Sequence, residues 1–346
     1  MQALTVRPGE AGSGRLDELS EPPGEGDLLV DGLALGICGT DREILSGEYG
    51  QAPEGGERLV LGHESLGRVR TAPEGAALAP GDLVVGIVRR PDPVPCACCA
   101  HGEWDMCRNG RYTERGIRAH HGYGARSYRL ESEFAVRLDP GLERVGVLLE
   151  PTSIVAKAWE QIERIGARAC FAPRTVLVTG AGPIGLLAAL LGTQRGYEVH
   201  VLDVVQEGPK PRLVAALGAE YHTGPAHEAG PAPDVVVECT GVAQLVVDVM
   251  SDNAPGAIVC LTGVSSSRRL SLDVGSLNRS LVLDNDVVFG SVNANRRHYD
   301  AAADALAAAD RGWLEGLISR RVALERWPEA LERRDDDVKV VLDLAA

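Results

Sequence analysis

Residues 175–185 read T-V-L-V-T-G-A-G-P-I-G, and no other stretch constrains the fold as strongly. Five apolar or β-branched residues run straight into G-x-G-x-x-G, and I-G-L-L-A-A-L-L (184–191) continues with the texture of a helix. Each glycine has a task. Gly180 permits the tight turn, Gly182 lets backbone approach a pyrophosphate, and Gly185 allows the helix to pack close to the strand. Pro183 and Ile184 open the helix, whose N-terminus favours phosphate charge. The next apolar run, E-V-H-V-L-D (198–203), ends on the carboxylate of Asp203. Strand, glycine loop, helix and a downstream acid together make a dinucleotide site far more specific than the glycines alone. Asp203 can accept hydrogen bonds from a ribose 2′-OH and repels a 2′-phosphate. Val204 and Val205 follow it, with no arginine pair, so the expected cofactor is NAD rather than NADP.

The alternation continues through P-D-V-V-V-E-C-T-G (233–241), A-I-V-C-L-T-G (257–263) and V-V-F-G-S-V (287–292). Short apolar runs separated by helices predict a parallel sheet covered on both faces. Residues 1–150 differ. They hold short β-like runs (28–30, 58–62, 83–88) between turn signals such as P-P-G-E-G, and predict a β-rich domain. I-V-A-K-A-W-E-Q-I (154–162) and W-P-E-A-L-E-R-R (327–334) have helical spacing, and V-K-V-V-L-D-L (338–344) reads as a strand returning to the first domain.

In the β-rich part, G-I-C-G-T-D places Cys38 among glycines and beside Thr40, L-G-H-E supplies His63 and Glu64, and V-L-L-E-P supplies Glu150. A thiolate, an imidazole and a carboxylate make a tetrahedral zinc site with room for a further oxygen. Taken singly, Cys38 also fits a core position, His63 a hydrogen-bonded loop and Glu150 a helix cap. A second cluster, P-V-P-C-A-C-C-A-H-G-E-W-D-M-C (93–107), carries Cys96, Cys98, Cys99 and Cys107 close enough for a structural zinc. Cys239 and Cys260 fall in expected strands and read as packing thiols, and Cys170 stands alone.

These motifs, in order over nearly the whole chain, with G-S-V-N-A-N (290–295) and the run 293–299, resemble the zinc-dependent medium-chain dehydrogenases, and within them the microbial glucose (aldose) 1-dehydrogenase branch. The resemblance implies an α/β fold: a GroES-like β-rich catalytic domain (1–155 plus 296–346) and a Rossmann doubly wound parallel-sheet domain (156–295). It implies a catalytic zinc at Cys38, His63 and Glu150 with Glu64 close by, a proton relay at Thr40, and sugar contacts at Glu114, Asn293 and His121. It also implies oxidation of an anomeric hydroxyl to a lactone, and assembly as a dimer or tetramer. Two positions depart from the pattern. Some relatives carry a sugar-binding aspartate where this chain has Ile154. The lobe pattern begins at Pro93 rather than a cysteine, which leaves Cys98 as the only spare thiol for a fourth ligand. A relative acting on another polyol, amino sugar or biosynthetic alcohol stays open beside the aldose reading. A zinc-free quinone-type reductase and a non-catalytic sensor fit the retained ligands less well.

The net charge of −14 argues against a nucleic-acid partner. No apolar run spans a bilayer without interruption, the N-terminus carries no signal-peptide pattern, and the eight cysteines read as thiols or ligands of a cytoplasmic protein.

Overall fold

The computed structural model describes residues 1–265 and 269–345. The chain divides into two compact units, Met1–Ser153 with Asn293–Ala346, and Ile154–Val292. Residues 154–155 therefore fall in the second unit and 293–295 in the first, the reverse of the assignment the resemblance implies. Asn293 is drawn into the first unit by a side-chain hydrogen bond to Glu114 (2.7 Å).

The first unit is built on the ten-residue strand Leu28–Ile37. It pairs antiparallel with Glu64–Thr71, with Ser127–Leu130 and with the C-terminal strand Lys339–Asp343, in registers that set Gly36 opposite Glu64 and Ile37 opposite Val340. Leu83–Gly86 and Ala135–Arg137 extend the sheet on one side, and Ile318–Ala323 extends it on the other. The sequence marks only the apolar start of the long strand. Its later half, D-G-L-A-L-G-I, is interrupted by two glycines that tertiary contacts require. A Cβ on Gly36 would run into the side chains of Glu64 and Lys339. Two smaller three-stranded sheets complete the unit.

These registers position the site. Cys38 follows the end of one strand and caps the helix Gly39–Leu45, Glu64 opens a neighbouring strand with His63 just before it, and Lys339 opens the next. All four lie at one end of one sheet. Glu150 sits in the first turn of the helix Leu149–Gly166.

The second unit is a six-stranded parallel sheet in the order 220–222, 198–202, 175–179, 235–238, 258–261, 287–290. Thr175–Thr179 is buried at every residue, as a strand covered on both faces must be. Neighbours added on either side of it reverse the winding there, which defines a doubly wound sheet. The apolar run 175–192 resolves into this strand, the glycine turn and the helix Pro183–Gln194. No described helix is long and apolar enough to cross a membrane.

Candidate active site and cofactor loop

Cys38 Sγ lies 3.2 Å from His63 Nε2, and the ligand atoms of Cys38, His63 and Glu64 all fall within 4.8 Å of one another. Behind them stands Asp41, completely buried. One of its oxygens accepts the Cys38 N–H (2.9 Å), and the other faces His63 Nδ1 at 3.5 Å. A carboxylate on Nδ1 leaves Nε2, the nitrogen beside Cys38, as the ligating atom. The sequence signal for Asp41 is its place as the N3 residue of a capping box begun by Cys38. Lys339, also buried, meets the Glu64 carboxylate. The sequence hid it as one of three lysines in a chain otherwise basic through arginine.

Glu150 is buried but stands outside that tight group. Burial pushes its carboxyl up to about 7; Glu64 and Asp41 add to this, while His63 and Lys339 oppose it. Burial alone would lower the His63 pKa, but Cys38 and Asp41 outweigh it and hold the ring well above the usual histidine range. The pocket thus gathers three carboxyl groups and a thiol against one ammonium and one imidazole. That donor set is short of positive charge, and its chemistry fits a divalent cation of the zinc type. Thr40 is half-buried in the first turn of the helix that Cys38 caps.

Glu114 and Asn293, 179 residues apart, meet through the 2.7 Å bond, and the Glu114 oxygen that Asn293 reaches also takes both arms of the Arg89 fork (2.9 and 3.1 Å). Arg89 stacks on Tyr112 and donates to the Asp105 carbonyl, while Asn295 donates to the Asp105 carboxylate. The Glu114–Asn293 pair is thereby tied to the cysteine lobe. The His121 Nδ1 accepts the Val60 N–H (3.1 Å), and its backbone carbonyl accepts from Arg115.

In the lobe, the sulfurs of Cys96, Cys99 and Cys107 lie within 4.8 Å of one another. The short helix Ala97–Ala100 carries Cys99 three residues beyond its cap Cys96, on the same face. Cys98 is turned off that face and does not join the three-sulfur group, although it stays within reach of Cys96. The Arg108 and Cys99 N–H groups draw the Cys96 thiol down to about 6. A ready thiolate beside two further sulfurs fits zinc.

The glycine loop has the geometry its motif requires. Gly180 adopts φ +90°, Gly182 caps the helix with open space around it, and a Cβ on Gly185 would run into the Gly180 carbonyl. Asp203 accepts N–H bonds from Ala181 (2.6 Å) and Val205 (3.0 Å) and faces Lys210 Nζ at 3.1 Å. It therefore braces the loop. Burial would raise its pKa, but these donors hold it below the usual carboxylate range.

The family model described as "Glucose dehydrogenase C-terminus" matches residues 143–344, and the "Alcohol dehydrogenase GroES-like domain" matches 24–140. Glucose 1-dehydrogenase of Methanocella arvoryzae is 41% identical over 360 residues, covering 100% of both chains, and that of Thermoproteus tenax is 39% identical over 99% of both. The solved structure of Haloferax mediterranei glucose dehydrogenase in complex with NADP, Zn and gluconolactone superposes with a TM-score of 0.90 at 30% identity, over 99% of each chain. Fold and site together define a zinc-dependent oxidoreductase of the alcohol dehydrogenase class, acting on CH–OH groups. More narrowly, the chain belongs to the glucose dehydrogenase family.

Proposed function

We propose that this chain oxidises the anomeric C1 hydroxyl of a glucose-like aldose to the lactone, with NAD as hydride acceptor. The observation that carries this reading is the convergence of Cys38, His63 and Glu64 at one end of a sheet, backed by Asp41 and Lys339. Zinc held by Cys38, His63 and a carboxylate, Glu150 or Glu64, would act as a Lewis acid that lowers the pKa of the substrate hydroxyl. A second zinc would be structural, on Cys96, Cys99 and Cys107, with Cys98 as a fourth thiol only if the loop is rebuilt to bring it onto their face. Thr40 passes the hydroxyl proton toward solvent. The C1–H bond breaks with its electron pair, and the nicotinamide supplies the acceptor carbon.

Glu114 and Asn293 bond sugar hydroxyls, and their bond to each other, with the Arg89 fork on Glu114, fixes their orientation before substrate arrives. His121 offers its Nε2 to the same task. The loop Gly180, Gly182, Pro183, Ile184, Gly185 takes the pyrophosphate, and Asp203 takes the adenosine ribose. NAD is preferred because that carboxylate repels a 2′-phosphate, even with Lys210 beside it. The eight cysteines are all free thiols, which suits a reducing cytoplasm. Assembly as a dimer or tetramer completes the reading.

The test is initial-rate reduction of NAD and NADP by zinc-loaded protein over a panel of aldoses and cyclic polyols. Higher kcat/KM with an aldose and NAD supports the proposal. Turnover of a polyol or amino sugar alone moves the substrate to the alternative that Ile154 leaves open. A higher kcat/KM with NADP overturns the role given to Asp203.

A further inference from the structure

Two adjacent strands of the second unit carry the same tripeptide pattern, Glu-x-His: Glu198-Val199-His200 and Glu220-Tyr221-His222. Residues two apart on a strand share a face. The strands pair in parallel with His200 opposite Glu220 and Leu202 opposite His222. Two imidazoles and two carboxylates therefore gather on one face at the edge of the sheet.

The contacts are close. His200 Nδ1 stands 2.9 Å from His222 Nε2 and 3.7 Å from a Glu220 oxygen, and the other Glu220 oxygen is 3.8 Å from His222 Nε2. The nitrogen of each ring and one carboxylate oxygen all lie within 4.8 Å of one another. Ligand bonds of about 2.1 Å in a tetrahedral site put neighbouring donor atoms roughly 3.4 Å apart, so these separations bracket what a bound ion requires. His200 is 98% withdrawn from solvent, with 2% exposed. It shares its face with Leu202, which packs with Leu177, Ala229 and Val236 in the apolar core. Its Nε2 has no hydrogen-bond partner; the nearest acid, Glu198, is 3.4 Å away. Gly230, at φ +95°, closes over the ring where a Cβ would strike it. A buried polar ring at the rim of an apolar core is costly unless something claims its nitrogens. A simple His–His hydrogen bond satisfies one nitrogen of each ring and leaves Glu220 unused.

We infer that His200, His222 and Glu220 form a metal site separate from those at Cys38 and in the cysteine lobe, taking a late first-row divalent cation such as zinc, with Glu198 against the outer nitrogen of His200. Two imidazoles and a carboxylate are the borderline donors such ions prefer. The ion would staple the edge strand 220–222 to its neighbour. The His222 carbonyl accepts the Asp203 N–H (3.1 Å), so the staple also steadies the strand end from which Asp203 projects.

Diffraction from crystals of the zinc-loaded protein, recorded on both sides of the zinc absorption edge, tests this. The expected result is an anomalous peak between the two rings in addition to the peak at Cys38 and His63. In His222→Gln the first peak disappears and the second remains, which also shows that the variant folds. After dialysis at limiting free zinc, His222→Gln retains one zinc ion fewer per chain than wild type. Glu220→Gln, altered at an exposed carboxylate, shows reduced occupancy without disturbing the core. Absence of the wild-type peak, or equal zinc content in all three proteins, overturns the inference and leaves a His–His hydrogen bond.

Discussion

Lys339 and Glu64 form a buried ion pair, their side chains 1% and 3% exposed, between the first residues of two strands that flank the Cys38 end of a third. The pair is enclosed so tightly that Gly36, on the strand between them, has no space for a Cβ. Burial would lower the Lys339 pKa, but Glu64 and Cys38 outweigh it and raise it. Removing one partner strands the other charge away from water. Lys339→Met is expected to cost about 3–5 kcal/mol. The double variant Lys339→Met, Glu64→Gln should recover part of that, because Glu64 is no longer left as an unpaired carboxylate. Denaturant unfolding of the three proteins measures both values.

Asp41→Asn should act through a tautomer. The asparagine oxygen still serves the Cys38 N–H, which turns the amide donor toward His63 Nδ1. Nδ1 must then accept, and the proton moves to Nε2, the nitrogen facing Cys38. Zinc affinity is expected to fall about 10–100-fold with the secondary structure intact. Competition against a chelator, with circular dichroism as the fold control, reads this directly.

The glycine loop separates two effects that substitution by alanine usually confounds. Gly182 faces open space, so Gly182→Ala should keep the melting temperature while raising KM for the dinucleotide, because the methyl occupies the phosphate approach. Gly185 abuts the Gly180 carbonyl, so Gly185→Ala must shift the helix or the turn and is expected to cost about 1–3 kcal/mol. A thermal melt and a dinucleotide titration on each variant distinguish the two roles.

The Arg90 fork on Glu131 (2.8 and 2.9 Å) sets an acid limit. Burial would raise the Glu131 pKa, but Arg90 and Arg115 draw it down to about 2. Its contribution to stability is therefore present above the unfolded value of 4.5 and is lost as pH falls from there toward 2. Nearby His120 is pushed down to about 3 by burial and by Arg115 and Arg90. The unfolded chain takes up that proton below 6.5 and the folded one only near 3, so stability also falls as pH drops across that window. Between 6.5 and 4.5 the His120 loss is opposed by Glu150, whose folded value of about 7 favours the protonated folded chain, so the Glu131 contribution is read as a difference between two proteins. The gap in unfolding free energy between wild type and Glu131→Gln should stay constant above about 4.5 and shrink as pH falls from there toward 2.

Much of this architecture is legible along the chain, because the signals are local. The strand, glycine turn and helix of 175–194 are contiguous, and the apolar runs of a sheet buried on both faces need no partner to be recognised. Cys38, His63 and Glu64 could be named from motifs, yet their meeting depends on strand register, which lies in pairings across 25 or more residues. Lys339 and Asp41 escaped for different reasons. The lysine reaches the site only because the C-terminal strand inserts beside Leu28–Ile37, while the aspartate resembles an ordinary helix cap until His63 is placed against it. Cys98 shows the converse limit: adjacency in sequence placed it with the other three thiols, and helical geometry turned it off their face.

The most direct test of the account is to measure bound zinc, NAD reduction and lactone formation together, with glucose as substrate, in wild type, Cys38→Ser and His63→Gln. The prediction is that wild type forms NADH and lactone in equal amounts, and that both variants lose the catalytic zinc and the activity together. Equal turnover by wild type and zinc-depleted variants, or no NAD reduction with any aldose by fully zinc-loaded wild type, would contradict it.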